Sequence, residues 1–234
     1  MTVQDSPTDL HAFTEAWQEW HSRQEARLAD PHGFLAITGL HWLSEEPQRF
    51  PDAPGAWRTG ADGVTVVLGE GEELVLADTT VRGEHHFGVL PERSSVNAVW
   101  GDAVIEVAKR GGHDIIRPRH PDTPLRAAFT GTPAYAPHPR WTVTGRYEAF
   151  DHAADSLLVL FTDATSGVTT YAANRALALD PPAEDGTVTL DFNRATNLPC
   201  AYTDLATCPL PPAENRLPLA IDAGEKIPYE RGGS

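Results

Sequence analysis

Short apolar strand patterns separated by closely spaced turn signals dominate the first half of the chain, and this spacing limits the fold more than any other feature. The turn signals are Ala61-Asp62-Gly63, Gly101-Asp102 and Gly111-Gly112. Their close spacing is typical of antiparallel hairpins. We therefore predict a small antiparallel β-sandwich or half-barrel over residues 32–117. Its predicted strands are Val64–Leu68, Leu74–Leu76, His86–Leu90, Ala98–Trp100, Val104–Val107 and Ile115–Ile116.

The N-terminal residues 1–31 carry a helical pattern instead. Four large apolar side chains recur three and four residues apart, which places them on one face of an α-helix. Ser6 is suited to cap this helix and Pro7 to occupy its first position, and Asp30-Pro31 is predicted to end it. An amphipathic helix of this kind usually packs against a core or a sheet. The residues of the apolar face are Leu10, Phe13, Trp17 and Trp20.

A proline-rich segment, residues 118–140, is predicted to cross from the first β region to a second one. The second region, residues 141–230, again contains short apolar strand patterns, and we expect an antiparallel, β-barrel-like half. The fold class is therefore predicted to be mainly β with an N-terminal amphipathic helix. The predicted strands of the second half are Trp141–Tyr147, Leu157–Phe161, Val168–Leu179, Thr187–Asn193 and Leu217–Ile221.

The acidic composition excludes several classes of partner. The chain has 33 acidic and 18 basic residues and a formal net charge of −15, which repels nucleic-acid phosphates and anionic membranes. No apolar stretch approaches the ~20 residues that span a bilayer, and the N-terminus lacks the pattern of a signal peptide. We therefore expect a cytoplasmic protein that binds neither nucleic acid nor membranes. Its oligomeric state stays open.

Sequence motifs for metal or cofactor chemistry are absent. The histidines follow no ligand spacing, and His85 and His86 would point to opposite faces of a strand. The glycine-rich segments match neither a P-loop nor a dinucleotide-binding fingerprint, and no Gly-x-Ser-x-Gly motif occurs. We predict no metal and no cofactor. Cys200 and Cys208 are interpreted as packing groups in a reducing compartment, with a disulfide between them left open.

Polar side chains are concentrated among the apolar strands of the last third of the chain. The alternation of side chains along a strand places Asp191 and Asn193 on one face. The same rule places Tyr171 and Arg175 together, and we predict that a turn at residues 181–186 pairs these two strands. Arg175 would then face Asp191 in a charge-assisted bond, which is either part of a ligand site or a structural ion pair.

A proline-rich loop follows these strands and adds further donors and acceptors. Prolines fix its backbone, and a rigid backbone with many polar groups suits the recognition of a ligand. Asp163 and Thr165 are interpreted instead as turn residues that bond their own backbone. The predicted ligand-binding residues are Tyr171, Arg175, Asn193, Asn197, Asn215 and Arg216, and the predicted catalytic residues are Asp191, Glu225 and Lys226.

Several short motifs of this region occur in an order that resembles the C-terminal signature of DUF1684, a bacterial and archaeal family without an assigned activity. Weaker similarity lies upstream, in Gly39-Leu-His-Trp-Leu43 and in residues 117–129. The resemblance implies extra strands between residues 147 and 157, where this chain has only a short connection, so one sheet edge is predicted to be open. The motifs are Asp163-Ala-Thr-Ser-Gly167, Thr170-Tyr171, Asn174-Arg175, Asp191-Phe-Asn193, Cys200-Ala-Tyr202, Cys208-Pro-Leu-Pro-Pro212, Asn215-Arg-Leu-Pro218 and Ala223-Gly-Glu-Lys226.

Three functions are compatible with these patterns. The first is a pocket in the C-terminal β half that binds a polar, anionic metabolite, because both charge signs and amides occur together there. The alternative is a hydrolase or lyase with Asp191 or Glu225 as general base and Lys226 or Arg175 stabilising negative charge. Whether the chain is an enzyme stays open. The third is a protein-interaction module in the first β half, whose candidate aromatic residues are Trp57, Phe87 and Trp100.

Overall fold

The structure of the protein is a computed structural model that describes residues 7–147, 157–229 and 231. Over these residues the chain is mainly β, as predicted. Ser6, the predicted cap, and the connection between residues 147 and 157 lie outside the described residues. The helices are α1 Pro7–Leu28 and α2 Pro124–Ala128, and the strands are β1 His41–Trp42, β2 Gln48–Phe50, β3 Ala53–Gly60, β4 Gly63–Val67, β5 Leu74–Leu76, β6 Thr79–Val81, β7 Glu84–Gly88, β8 Ser95–Trp100, β9 Ala103–Arg110, β10 His113–Arg119, β11 Thr142–Arg146, β12 Leu157–Phe161, β13 Arg175–Leu179 and β14 Thr187–Asp191.

The chain divides into two compact units. The sandwich unit comprises residues 27–129 and 205–207, and the C-terminal unit comprises residues 1–26, 130–204 and 208–234. The division between Phe129 and Thr130 falls inside the proline-rich segment at residues 118–140. Among the described residues, no helix combines the length and the apolar character that crossing a membrane requires.

The sandwich unit contains two antiparallel sheets with a shared apolar core. One sheet has the strand order β1-β10-β9-β8-β5-β6 and the other has the order β2-β3-β4-β7. Trp57 and Val66 of the smaller sheet pack with Ile105 and Ile116 of the larger one, and all four are fully buried. The predicted sandwich is therefore confirmed. Because Trp57 belongs to the core, it is not available to a partner protein.

One long strand of the sandwich, β3, has no counterpart among the predicted strands. Pro54 and Gly55 interrupt its apolar pattern, and both residue types are unfavourable inside a strand. Gly55 has a positive φ of 77°. Pairing with β4, in which Trp57 faces Val66, nevertheless holds the segment in the sheet.

The C-terminal unit contains two separate pairs of antiparallel strands, β11 with β14 and β12 with β13. Among the described residues of this unit, the strands do not close into the predicted barrel-like half. The predicted pairing of the Arg175 strand with the Asp191 strand is wrong, because Arg175 is opposite Phe161 on β12 and Asp191 is opposite Thr142 on β11. Residues 168–171 and 217–221, predicted as strands, are irregular.

Within the C-terminal unit, helix α1 packs against the other segments through its predicted face. Leu10, Phe13, Trp17 and Trp20 are all partly buried while most of their neighbours on the helix are exposed. The indole nitrogen of Trp17 donates to the carbonyl of Asn193 at 2.7 Å. The guanidinium of Arg194 lies 5.6 Å from the centre of the Trp20 ring. The amphipathic helix is thus confirmed.

Two turn glycines of the sandwich unit provide a matched test of its packing. Gly63 and Gly101 both have positive φ values, of 89° and 55°. A Cβ at Gly63 would lie 1.9 Å from the carbonyl oxygen of Gly88, whereas a Cβ at Gly101 would meet nothing within 4 Å.

We expect Gly101→Ala to lower the free energy of unfolding by about 1–2 kcal/mol through backbone strain alone. Gly63→Ala should cost about 3 kcal/mol or more, because a steric clash is added. Urea unfolding of both variants measures the difference, and equal costs would contradict the register of β4 and β7.

Candidate functional site

Arg175, at the start of β13, is buried in the interior of the C-terminal unit with a relative exposure of 1%. Its Nη2 donates to Asp163 Oδ2 at 2.5 Å and to the carbonyl of Ile221 at 3.2 Å. Its Nη1 donates to the carbonyl of Ala223 and, at 3.5 Å, to that of Glu225. Burial lowers the pKa of the Arg175 guanidinium, and the Asp163 carboxylate opposes this shift. The guanidinium thus bonds to several loop groups at once.

Asp163 is the ionic partner of Arg175 in place of the predicted Asp191. Its other carboxylate oxygen, Oδ1, accepts from the backbone nitrogen of Thr165 at 2.7 Å and from its hydroxyl at 2.5 Å. Asp163 therefore forms the predicted turn with Thr165 and also an ion pair. The ion pair follows from strand pairing, because Phe161 is opposite Arg175 and Asp163 lies two residues beyond the end of β12.

Asp191 and Asn193 lie side by side, as strand alternation predicts, although β14 ends at Asp191. Asp191 Oδ1 accepts from the Asn193 amide at 2.7 Å and from the Thr142 hydroxyl at 3.2 Å, and Oδ2 lies 3.3 Å from Arg194 Nε. The Asn193 side chain accepts from the backbone nitrogen of His138 and donates to its carbonyl, at 2.9 and 3.0 Å. Both side chains therefore already have partners that hold the chain in place.

Two other predicted ligand-binding residues also bond to backbone carbonyls. The Tyr171 hydroxyl donates to the carbonyl of Cys200 at 2.9 Å. The Asn215 amide donates to the carbonyl of Leu160 at 2.8 Å. These bonds hold irregular loops against the strands, where the loop backbone would otherwise be unpaired.

Glu225 is buried, with a relative exposure of 2%. Its Oε2 accepts from the backbone nitrogen of Asn197 at 2.6 Å and from the Tyr202 hydroxyl at 3.4 Å. Among the described residues, neither Glu225 Oε1 nor Asn197 Oδ1 has a hydrogen-bond partner. Burial raises the pKa of Glu225 to about 7, although the Asn197 and Tyr202 hydrogen bonds and the charge of Arg175 lower it. The residue is thus a buried carboxyl that titrates near neutral pH.

A chain of polar contacts connects Glu225 with helix α1. The Tyr202 hydroxyl is 2.8 Å from the Thr132 hydroxyl, and the Thr132 backbone nitrogen donates to Glu25 Oε1 at 2.7 Å. The negative charge of Glu25 adds to the rise in the pKa of Glu225. The sequence gives no signal for these contacts, because α1 and the Ala223–Lys226 motif are far apart along the chain.

Lys226 lies at the surface of the same segment, beside a cavity of about 400 Å³ that we call the Lys226 groove. Its ammonium nitrogen is 4.3 Å from the centre of the Tyr135 ring. The Tyr135 hydroxyl is 2.6 Å from the Thr169 hydroxyl. Within the described ranges, no acidic side chain forms an ion pair with Lys226. The residues that line the groove are Pro133, Val168, Thr169, Lys226, Ile227, Pro228 and Tyr229.

Backbone hydrogen bonds hold three segments around the Lys226 groove. Lys226 donates its backbone N–H to the carbonyl of Pro133 at 2.7 Å, and Tyr135 donates to Gly224 at 2.9 Å. Ile227 donates to the carbonyl of Thr169 at 3.1 Å. Hydrogen bonds between these segments therefore fix the backbone that forms the groove.

A second surface cavity, of about 370 Å³, borders Arg216. Arg216 is exposed, and no ion-pair partner for it occurs in the described part of the chain. Two of the residues predicted for the C-terminal pocket, Lys226 and Arg216, thus border two different surface cavities. Sequence reasoning missed Thr169 and Tyr229, which line the Lys226 groove, and Tyr135, which contacts the Lys226 ammonium. The residues that line the second are Thr162, Asp163, Ser166, Ala172, Ala173, Leu210, Pro211 and Arg216.

The Arg175–Asp163 pair generates a stability prediction. We expect Arg175→Met to lower the free energy of unfolding by about 3–5 kcal/mol, because it leaves the Asp163 carboxylate buried without a cation. The control is Arg194→Met, which breaks a partly exposed pair with Asp191 and should cost about 1 kcal/mol or less. Chemical denaturation of both variants measures the costs. A small cost at Arg175 would show that the pair does not organise the unit.

Glu225 generates a prediction for the pH dependence of stability. Its pKa is raised from 4.5 to about 7, so the folded state binds more protons than the unfolded state between these values. The free energy of unfolding should therefore fall as pH rises from 4.5 through 7, and Glu225→Gln should remove this pH dependence. The unfolding free energy of the wild type relative to the variant should fall by about 3 kcal/mol between pH 4 and pH 8. Exposed Glu214→Gln is the control, and a pH-independent difference for Glu225→Gln would refute the assignment.

Comparison with known proteins extends the sequence resemblance. Residues 149–226 match the model of a family described as a protein of unknown function, DUF1684. Comparison with curated proteins gives no match. The solution NMR structure of an uncharacterized protein from Haloarcula marismortui is 23% identical over 97% of this chain and 100% of that chain, with a TM-score of 0.37. The predicted resemblance to the DUF1684 family is thus confirmed over residues 149–226, which include Arg175 and Lys226.

Proposed function

We propose that the Lys226 groove binds a small anionic molecule that carries an apolar group. The observation that carries the proposal is the ammonium of Lys226, a partly exposed residue that has no acidic partner among the described residues. Acidic side chains outnumber basic ones by 33 to 18 in this chain. A cation that stays without a carboxylate under these conditions is available to an external anion.

The surroundings of the ammonium support an anion as the ligand. The Tyr135 ring covers one side of the Lys226 ammonium at 4.3 Å, and such a cation–π contact does not consume the N–H donors that point elsewhere. The Tyr135 and Thr169 hydroxyls share one hydrogen bond, so one of the two O–H groups is left to donate. Ammonium and hydroxyl together can bind a carboxylate or a phosphate ester.

The walls of the groove support an apolar part of the ligand. Val168 and Tyr229 are 74% and 63% exposed, and they stand beside Ile227 and Pro228. Burying apolar surface is favourable by roughly 25 cal/mol per Å². The cavity volume of about 400 Å³ falls in the range of small-molecule sites, roughly 300–1,000 Å³. Because hydrogen bonds already fix the backbone around the groove, less conformational entropy is lost when a ligand binds.

The hydrolase or lyase alternative has weaker support. A general base must lie within hydrogen-bond reach of the ligand. Both carboxylate oxygens of Asp191 already have partners, and Glu225 is buried and does not line either cavity. Binding therefore fits the geometry better than proton transfer does.

Ligand-dependent stabilisation tests the proposal. We expect benzoate, octanoate and phenyl phosphate to raise the melting temperature of the wild type, while neutral benzamide and octanol have little effect. A ligand at 100 times its dissociation constant stabilises by about 2.7 kcal/mol. Lys226→Met should lose at least tenfold in affinity for the anions, because the charge is gone and the side-chain length is kept.

The matched control is Arg146→Gln, which removes one positive charge at an exposed position away from the groove. It should leave the affinity unchanged. Equal weakening by both variants would indicate a general effect of net charge, and the groove would then not be the binding site. Absence of any stabilisation by the anionic panel would also refute the proposal.

A further inference from the structure

We infer that the surface cavity at Arg216 is a second ligand site, which binds a small aliphatic monocarboxylate. The inference does not depend on the Lys226 groove, because the two cavities share no lining residue. The volume of the Arg216 cavity, about 370 Å³, is that of a small-molecule site. Three features of its lining indicate the ligand: a guanidinium, a hydroxyl and an apolar wall.

The guanidinium of Arg216 supplies the positive charge of the cavity. Arg216 is exposed, and within the described part of the chain its side chain forms neither a hydrogen bond nor an ion pair. Its backbone is nevertheless held in place, because the Thr162 N–H donates to the carbonyl of Asn215 at 3.1 Å and the Leu217 N–H donates to the carbonyl of Thr162 at 2.8 Å. The planar fork of N–H donors is therefore available to a ligand, and it matches the two oxygens of a carboxylate.

The hydroxyl of Ser166 is a second donor at the same cavity. Its oxygen accepts from the backbone N–H of Asp163 at 3.1 Å, while its O–H has no acceptor in the residues that the structure describes. The turn that carries it is fixed, because the Ser166 N–H donates to the carbonyl of Asp163 at 3.1 Å and the Gly167 N–H donates to the carbonyl of Thr170 at 2.9 Å. A hydrogen bond from Ser166 to a ligand therefore needs only a rotation of the hydroxyl.

The charges around the cavity favour a ligand with one negative charge. Asp163 also lines the cavity, but its carboxylate is paired with the buried guanidinium of Arg175, so this pair is neutral. Among the described lining residues, Arg216 thus carries the only uncompensated charge. A carboxylate balances that charge, whereas the second charge of a phosphate monoester would lie unpaired near Asp163.

An apolar wall favours a small aliphatic group on the rest of the ligand. Leu210 is 70% exposed, and it lines the cavity together with Pro211, Ala172 and Ala173. The two alanine side chains are small and leave room for a branched alkyl group. Because covering exposed apolar surface is favourable, a short branched acid such as 3-methylbutanoate fits this lining.

Nuclear magnetic resonance of the ¹⁵N-labelled, full-length protein tests the inference, because the Nε–H group of Arg216 gives a signal of its own. Titration with 3-methylbutanoate should shift this signal and the amide signals of Ser166 and Ala173 in a saturable way. The neutral 3-methylbutanamide should not shift them. The dianion of 3-methylbutyl phosphate should bind about tenfold more weakly than the carboxylate, because one of its charges has no partner.

Single variants assign the donors. Arg216→Gln should abolish the saturable shifts, and Ser166→Ala should weaken binding by about tenfold, because a hydrogen bond to a charged group is lost. Two controls each remove one positive charge from a residue that does not line this cavity, Arg146→Gln and Lys226→Met. Both should leave the affinity at the Arg216 cavity unchanged.

Four results would overturn the inference. They are the absence of a saturable shift at Arg216, persistence of the shifts in Arg216→Gln, equal weakening by Arg146→Gln, and tighter binding of the phosphate than of the carboxylate. If the acid shifts only the signals of Thr169, Lys226 and Ile227 and loses these shifts in Lys226→Met, it occupies the Lys226 groove alone. That result would overturn the second site and support the first.

Discussion

The buried guanidinium of Arg175 bonds to loops of the C-terminal unit that have no strand to pair with. It donates to the carbonyls of Ile221, Ala223 and Glu225 and forms an ion pair with Asp163. A buried backbone carbonyl without a partner is costly, and these carbonyls belong to irregular backbone. One planar cation with several donors therefore replaces the hydrogen bonds that a further strand would supply.

In the loop that Arg175 contacts, the adjacent residues Glu225 and Lys226 point in different directions. Glu225 points into the interior, where Asn197 and Tyr202 contact its carboxyl. Lys226 points to the surface, where Tyr135 lies beneath its ammonium. Because Arg175 contacts the carbonyl of Glu225, the interior ion pair and the Lys226 groove share one piece of backbone. The groove is thus a consequence of how the C-terminal loop is held.

Strand patterns predicted much of the fold, and strand partners were harder to predict. Leu74–Leu76 and Leu157–Phe161 have the predicted bounds, because continuous apolar residues between turn signals leave little alternative. Alternation along a strand gives the face of Arg175 but does not identify the neighbouring strand. The sequence therefore predicts Asp191 as its partner, whereas the structure shows Asp163. The chain contains only two lysines, Lys109 and Lys226, so its composition draws attention to Lys226. Tyr135 and Thr169 come from distant segments and have no local signal.

The central claim is that Arg175 holds the backbone that forms the Lys226 groove. Hydrogen–deuterium exchange of the wild type and of Arg175→Met tests it most directly, because backbone amides report local opening. The account predicts that the amides of Glu225, Lys226 and Ile227 exchange faster in the variant, by a larger factor than the amides of β11 and β14. An equal change in both regions, or no change at residues 225–227, would contradict it.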